Sequence, residues 1–245
     1  MKNLIVSAMF IVLLSSGAAQ STPSVSPARP TQPVARFAPT APGEQIANLD
    51  LFKAQLRQYH ECTCKCGCYG RDLNLQAARA VAFLRRRAAH NAAGQQLAVV
   101  FDIDETTLSN YPEMLKNDFE FNVKVFDDWV NTASAPAIPG TLNIYEEAQR
   151  HGVAVFFLTG RPESEREATA RNLRAQGFGA WQKLILRAPG QQAPTAVEYK
   201  SAERAKIAAQ GYRIILNVGD QWSDLRGQPE AEYSVKYPNP WYFIK

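Results

Sequence analysis

The stretch Leu97-Ala-Val-Val-Phe-Asp-Ile-Asp-Glu-Thr-Thr-Leu-Ser-Asn110 decides the fold of this chain. Its apolar run, Val99-Val100-Phe101, is typical of a buried strand, and the run ends at two carboxylates, Asp102 and Asp104. Burying two carboxylates at the end of an interior strand is costly unless opposite charge meets them there. In an open α/β sheet, ligands bind in the crevice beyond the carboxyl ends of the strands. The sequence therefore predicts an active site that begins at Asp102.

The chain beyond this strand alternates between predicted strands and predicted helices. Three further strands are predicted, at Val153–Leu158, Lys183–Leu186 and Ile214–Val218. Helices are predicted before and between the strands, around Ala47–Tyr59, Leu75–Ala89, Glu163–Gln176 and Val197–Gln210. This order is typical of an α/β protein with a parallel sheet that is covered by helices on both faces.

Several of the predicted strands end in polar side chains that share one edge of the sheet. Thr159 follows the second strand, and Asp220 and Asp224 follow the fourth. Lys200, in the helix before the fourth strand, is placed to reach the same edge. A single aspartate after a strand is often only a turn or helix cap. Together with Asp102, these groups indicate a catalytic site.

At this point the motifs resemble those of a known family. The chain is similar to phosphatases of the haloacid dehalogenase superfamily, and more closely to the secreted acid phosphatases grouped with class B and class C acid phosphatases and plant vegetative storage proteins. The similarity runs from about Ala47 to the end and is carried by segments 100–110, 157–161, 219–225 and 236–244 together with Lys200. It implies a Rossmann-like three-layer sandwich with a mostly parallel central sheet and a small helical accessory region.

The resemblance also implies a role for each motif residue. Asp102 is expected to be the nucleophile that forms an aspartyl-phosphate, and Asp104 the general acid and base. Thr159, Lys200 and Arg161 are expected to contact the substrate phosphate. For Arg161, capping of its own loop is the alternative.

A bound Mg²⁺ ion is implied in the same way. Its expected ligands are the Asp102 carboxylate, the main-chain carbonyl of Asp104 and the Asp220 carboxylate, and Asp224 is expected to orient a bound water or Lys200. Charge balance favours this cofactor. The three ionised aspartates and a phosphate dianion carry five negative charges, of which Lys200 and Mg²⁺ offset three. Without the cation, two anions ~4 Å apart repel by a few kcal/mol.

The start of the chain has the features of a targeting segment. Lys2 is followed by the apolar stretch Leu4–Leu14 and by small residues, which is typical of a secretory signal peptide over residues 1–19. The apolar stretch is shorter than the ~20 residues of a membrane span, and no cysteine directly follows it, so we expect neither a span nor a lipid anchor. Residues 20–43 are rich in Ser, Thr and Pro and are expected to form a disordered tether.

Residues 44–245 are then the expected phosphatase domain, with its helical accessory segment at about residues 44–93. We expect the protein to be exported to the periplasm or secreted. The composition, with 46% hydrophobic and 20% charged residues and a net charge of +4, is that of an ordinary globular protein. So mild a charge does not favour a nucleic-acid polymer as partner.

Four cysteines, Cys62, Cys64, Cys66 and Cys68, lie outside the resemblance. In an exported protein an even number of cysteines suggests disulfides, and four of them allow three pairings. Zinc or copper binding, with His60 as a further ligand, is the alternative.

Two aromatic residues lie close to catalytic motifs. Tyr111 and Trp222 are candidates for stacking on an aromatic leaving group, with packing in the core as the alternative.

The sequence therefore predicts a Mg²⁺-dependent acid phosphatase acting on small phosphate monoesters. A phosphotransferase using the same intermediate is one alternative, and a non-enzymatic storage or binding protein on the same fold is another. The presence of Asp102, Asp104, Lys200 and Asp220 together favours the enzyme, because a storage role has no use for buried charge. Neither the physiological substrate nor the oligomeric state follows from the sequence.

Overall fold

The computed structural model describes residues 48–62, 68–91, 95–191, 193 and 195–244. The predicted signal peptide and tether, together with Cys64 and Cys66, lie outside the described residues. Among the described helices, none has the length and apolar character needed to cross a membrane.

A five-stranded sheet forms the centre of the described chain, and each neighbouring pair of its strands is parallel. In chain order the strands are β1 (Gln96–Phe101), β2 (Ala154–Pro162), β3 (Lys183–Arg187), β4 (Tyr212–Gly219) and β5 (Tyr233–Lys236). The order across the sheet is β3-β2-β1-β4-β5, so β1 lies in the middle. The predicted α/β architecture is confirmed, and the sheet is wholly rather than mostly parallel.

Alternate residues of β1 enter the cores on the two faces of the sheet. Val99 and Phe101 belong to the larger core, which also contains residues of α2 (Cys68–Ala89), α5 (Pro139–Arg150) and α6 (Arg166–Ala175). Ala98 and Val100 belong to a smaller core with residues of α7 (Ala196–Ala209). Because both faces are covered, the strand is continuously apolar, as its sequence suggested.

The predicted helical region before the sheet consists of two unlike helices. In α1 (Leu49–His60) every residue is at least partly exposed, and an ion pair of 2.6 Å between Lys53 and Asp118 connects the helix to the rest of the fold. In contrast, α2 packs into the larger core through residues spaced three and four apart, namely Tyr69, Leu73, Ala77, Ala80 and Leu84. This helix begins at Cys68, well before the predicted start at Leu75.

Other elements differ from the prediction at their ends. The predicted helix from Glu163 opens as a 3-10 turn (Glu163–Glu165) before α6 begins. The edge strand β5 was not predicted, because four residues carry too little periodicity to separate a strand from a loop. The segment that follows the Asp102 motif contains α3 (Tyr111–Lys116) and α4 (Val123–Thr132). The last helix in the described part of the chain is α8 (Trp222–Leu225).

Candidate active site

The carboxyl ends of β1 and β4 bring three aspartates together. The backbone N–H of Asp102 donates to the carbonyl of Val218 at 3.0 Å and so extends the pairing of the two strands by one residue. Asp102, Asp220 and Asp224 are all buried, and each offers a carboxylate oxygen within 4.8 Å of those of the other two. The predicted meeting of the two strand ends is therefore present in the structure.

Gly219 allows the third aspartate to approach. A Cβ atom at this position would lie 2.4 Å from the Cβ of Asp224 and 2.6 Å from its Oδ2. Since real side chains do not approach this closely, only glycine lets α8 fold back against the end of β4. Its place directly before Asp220 is thus explained by packing of the site itself.

Lys200 lies among the aspartates. Its helix, α7, begins at a capping box in which Thr195 accepts from the N–H of Glu198. The Lys200 ammonium donates to Asp102 Oδ1 and to the carbonyl of Leu158 at 2.6 Å, and it lies 3.1 Å from Asp224 Oδ1. All three of its N–H groups therefore have partners.

One lysine does not balance three carboxylates. Burial, followed by the charge of Asp224, raises the pKa of Asp102 well above its usual value, although Lys200 opposes this. Burial and Asp224 also raise the pKa of Asp220, to about 7. Burial alone would lower the pKa of Lys200, but Asp102 and Asp224 raise it above its usual value. The cluster therefore has an excess of negative charge that a cation would offset.

Asp104 is separately neutralised. The Arg161 guanidinium, itself buried, donates from Nε at 3.1 Å and from Nη2 at 2.6 Å to the Asp104 carboxylate. Asn110 donates a further hydrogen bond of 2.8 Å to Asp104 and accepts one from Trp129 Nε1. Burial alone would raise the pKa of Asp104, but the charge and hydrogen bonds of Arg161 outweigh it and lower the pKa.

This geometry bears on the predicted role of Arg161. The structure directs its guanidinium to Asp104 and, through Nη1, to Thr169 Oγ1 at 3.0 Å. Neither partner was foreseen, and contact with a substrate phosphate stays a prediction. Arg161 therefore connects β2 to the loop that carries Asp104.

Thr159 lies in β2, and its hydroxyl donates to no other group among the described residues. Its hydroxyl oxygen accepts from the N–H of Arg161 at 3.1 Å, and its carbonyl accepts from the Tyr199 hydroxyl at 3.0 Å. Because the oxygen accepts at one side, the hydroxyl hydrogen can turn toward an anion. This is the arrangement that a phosphate contact needs.

A tight turn holds the loop between Asp102 and Asn110. The carbonyl of Ile103 accepts from the N–H groups of Thr106, Thr107 and Leu108 at 3.3, 2.8 and 2.9 Å. Glu105 takes a left-handed backbone conformation, with φ of +53°, which is strained for a residue other than glycine. Its buried carboxylate accepts from the N–H of Asn110 at 2.6 Å.

The two predicted stacking residues differ in exposure. The Tyr111 ring is buried and stacks on His60 with 3.4 Å between ring centroids, so protein covers one of its faces. Trp222 is 48% exposed, with the Arg226 guanidinium 5.2 Å and the Lys236 ammonium 5.9 Å from its ring centroid. Stacking on substrate stays a prediction for both.

The described part of the cysteine cluster lies between α1 and α2. The sulfur atoms of Cys62 and Cys68 are 3.0 Å apart. Cys64 and Cys66 lie outside the described residues, so disulfides and metal binding both stay predictions for this cluster.

The aspartate cluster fits a Mg²⁺ ion by the chemistry of its donors. Buried carboxylate oxygens within 4.8 Å of one another, carrying uncompensated negative charge, are the hard ligands that Mg²⁺ prefers. Asp224, which was predicted only to orient other groups, also offers a carboxylate oxygen within 4.8 Å of those of Asp102 and Asp220.

Sequence reasoning missed the side chains that orient these carboxylates. Thr106 and Asn110 lie within the quoted motif, but nothing in it distinguishes them from ordinary turn residues. Gln221 and Asn239 both donate to Asp220, at 2.8 and 2.7 Å. The only signal for Asn239 was its place in the terminal segment that carries part of the resemblance.

The fold and the placement of these side chains define a member of the haloacid dehalogenase (HAD) superfamily. The model of HAD superfamily, subfamily IIIB (acid phosphatase), matches residues 31–245, and the chain belongs to this family. The resemblance drawn from the motifs is thereby confirmed.

Individual relatives agree with this family. The chain is 45% identical over 150 residues to acid phosphatase 1 of Solanum lycopersicum, covering 59% of this chain and 58% of that protein. It is 43% identical over 150 residues to a stem 31 kDa glycoprotein of Glycine max, covering 60% of this chain and 59% of that protein. Vegetative storage protein 1 of Arabidopsis thaliana is 34% identical over 149 residues, covering 59% of this chain and 54% of that protein. The matched region thus spans less than three fifths of each of these relatives.

A solved structure shares the fold. The class C acid phosphatase of Bacillus anthracis superposes with a TM-score of 0.64 at 22% identity, covering 80% of this chain and 87% of that one. At this level of identity the likeness concerns the fold alone.

Proposed function

We propose that the protein is a Mg²⁺-dependent phosphatase that hydrolyses small phosphate monoesters through an aspartyl-phosphate on Asp102. The observation that carries this proposal is the meeting of Asp102, Lys200, Asp220 and Asp224 in one buried cluster, with Asp104 held separately by Arg161. Two carboxylates are needed near the phosphate because one of them becomes esterified and cannot also move protons.

In the first step, an Asp102 carboxylate oxygen bonds to phosphorus while the bond from phosphorus to the leaving oxygen breaks. Asp104 enters this step in its protonated form, which the negative charge of the bound phosphate favours against the effect of Arg161 on its pKa. It gives its proton to the leaving oxygen, so an alcohol departs. Arg161 and Asn110 fix the direction of the Asp104 carboxylate through the hydrogen bonds described above. The hydroxyl of Thr159 and the ammonium of Lys200 face the charge on the transferred phosphoryl group.

In the second step, Asp104 takes a proton from water. The water oxygen bonds to phosphorus and the Asp102–phosphorus bond breaks, which releases inorganic phosphate and restores both aspartates. Asp104 therefore serves as general acid in the first step and as general base in the second.

Asp102, Asp220 and the main-chain carbonyl of Asp104 would hold the Mg²⁺ ion, and Asp224 belongs to the same carboxylate cluster. When bound, the ion offsets the negative charge that otherwise keeps the phosphate dianion away from Asp102. We further propose that the protein acts after export, in the periplasm or outside the cell, because residues 1–19 have the pattern of a signal peptide.

Assays of purified protein on p-nitrophenyl phosphate test this function. We expect hydrolysis with Mg²⁺, loss of activity in EDTA and recovery when Mg²⁺ is added back in excess. Full activity in EDTA would contradict the charge argument. A panel of nucleotides, sugar phosphates and aryl phosphates then defines the preferred leaving group.

The same assay separates the alternatives. With an added alcohol, a hydrolase releases phosphate and nitrophenol in equal amounts, whereas a phosphotransferase releases more nitrophenol than phosphate. Vegetative storage proteins are among the relatives, so absence of turnover across the whole panel, in folded protein with Mg²⁺, would favour a storage or binding role.

A further inference from the structure

The segment after β5, residues 237–244, crosses the carboxyl ends of the central strands and enters the active site. The N–H of Tyr237 donates to the carbonyl of Gly219 at 2.9 Å, and the Tyr237 ring is fully buried. Two residues further on, Asn239 Nδ2 donates to Asp220 Oδ2 at 2.7 Å. The Tyr242 hydroxyl donates to Glu105 at 2.9 Å, next to Asp104. The 237–244 segment thus contacts both loops of the site.

The hydrogen bonds of Asp220 leave room for one ligand. Its Oδ2 accepts from Asn239 at 2.7 Å and from Gln221 Nε2 at 2.8 Å, and its Oδ1 accepts from Thr106 Oγ1 at 3.0 Å. A carboxylate has about four lone-pair positions, two on each oxygen. Among the described contacts, Oδ2 is therefore filled, and one position remains on Oδ1.

The direction of the Asn239 amide is fixed by the segment itself. Its Oδ1 accepts from the N–H of Trp241 at 2.8 Å, so its Nδ2 must be the atom that faces Asp220. Pro238 and Pro240 flank it and restrict the backbone on both sides. The Trp241 ring packs 5.2 Å from that of Tyr111, which anchors the turn.

The second donor to Oδ2 depends on the same segment. Gln221 Nε2 also donates to the carbonyl of Tyr242 at 3.3 Å, and Gln221 Oε1 accepts from the N–H of Ile244 at 3.1 Å. Its amide is therefore oriented by two backbone groups of residues 237–244. Both side chains that fill Oδ2 take their direction from this segment.

We infer that Asn239, held in place by the 237–244 segment, is a positioning residue of the metal site, which turns Asp220 Oδ1 toward the cation. This inference rests on the proposed function. Without Asn239, the Asp220 carboxylate keeps its place after β4 but loses one of its three hydrogen bonds, so it is held less firmly and must be ordered further each time the metal binds. Loss of such an outer partner typically weakens metal binding about 10-fold to 100-fold.

Isothermal titration of the purified full chain with Mg²⁺ alone tests the inference. Asn239→Ala should weaken Mg²⁺ binding by about 10-fold or more, and kcat should recover largely at saturating Mg²⁺. The melting temperature in EDTA should remain close to that of the wild type, which separates positioning from a general loss of structure. Phe243→Ala is the matched control, because Phe243 lies in the same segment and is 71% exposed.

Asn239→Ser keeps the test decisive if the alanine variant does not fold. A serine hydroxyl can still accept from the N–H two residues on and preserve the turn, but it is too short to reach Asp220. We expect the same weakening of Mg²⁺ binding. Wild-type affinity in either folded variant would overturn the inference.

The wild type in the same titration separates this inference from the proposed function. If the wild type binds Mg²⁺ and hydrolyses p-nitrophenyl phosphate while the Asn239 variants bind equally well, only the inference fails. If the wild type itself neither binds Mg²⁺ nor turns over substrate, the proposed function fails.

Discussion

Two groups of buried carboxylates in this molecule have opposite electrostatics. Glu147, on α5, is 2% exposed and is surrounded by cations. Arg85 of α2 contacts it with two hydrogen bonds of 2.8 and 2.9 Å, and Arg150 lies 2.7 Å and His151 2.9 Å away. At the ends of β1 and β4, three aspartates share only Lys200 as a directly bound cation among the described residues.

The pKa values follow this difference. Hydrogen bonds from Arg85 are the main reason that the pKa of Glu147 falls to about 2. Burial and neighbouring carboxylates raise the pKa values of Asp102 and Asp220 instead. The negative charge of Glu147, which holds helices together, is neutralised by cations of the fold itself. The negative charge of the site aspartates is neutralised only in part, and a bound cation would neutralise the rest. Charge balance, rather than burial, therefore distinguishes the structural group from the functional one.

The largest expected effect separates the two groups by activity. Asp102→Asn removes the nucleophile, so turnover of p-nitrophenyl phosphate should fall by at least about 10³-fold. Glu147→Gln should leave kcat and KM unchanged, because Glu147 belongs to the helix interface. Wild-type turnover by Asp102→Asn would refute its assignment as the nucleophile.

Removing the lysine should harm both activity and stability. Lys200→Met keeps the length of the side chain but takes away the cation that binds Asp102 and Asp224. We expect kcat to fall about 10²-fold to 10³-fold, as when a positioned charge at the reacting group is lost. The melting temperature in EDTA should also fall, because two buried carboxylates lose their partner. An unchanged melting temperature would contradict the stated electrostatics.

Removing a carboxylate from the same cluster should have the opposite effect on stability. Asp220→Asn relieves repulsion with Asp224, so the free energy of unfolding in EDTA should rise by roughly 1–3 kcal/mol. Stabilisation by added Mg²⁺ should disappear together with activity. Denaturant melts with EDTA and with Mg²⁺ measure both changes, and a destabilised metal-free variant would show that the cluster is already balanced.

The smallest expected effect concerns acid stability at Glu147. Its pKa is lower in the folded state, at about 2, than the usual 4.5, so the folded form binds fewer protons in this range. Its contribution is therefore fully present above about pH 4.5 and is lost as the pH falls toward 2. Because Arg85 and Arg150 are more than half exposed, we expect only about 1–2 kcal/mol. Melts of wild type and Glu147→Gln should converge as the pH falls through this window, and parallel curves would contradict it.

The sequence by itself determined the central strands and the aspartates at their ends. A buried parallel strand is a short apolar run, and Asp102 and Asp104 follow that run directly, so the signal is local. The order of strands and helices then placed the ends of β1, β2 and β4 at one edge of the sheet. Elements with weak local periodicity, such as β5 and the first turns of α2, were not predicted from the sequence.

Only the tertiary structure decided how each carboxylate is balanced. Arg161 lies 57 residues from Asp104, and Lys200 lies 98 residues from Asp102. Asn239 reaches Asp220 across 19 residues, from a segment with no helical or strand periodicity of its own. The direction of a side chain and the charge around it depend on packing between elements that are distant in the chain. No local pattern in the sequence predicts that packing. The sequence therefore predicts the kind of site, whereas the tertiary structure determines the orientation and the charge state of the side chains in it.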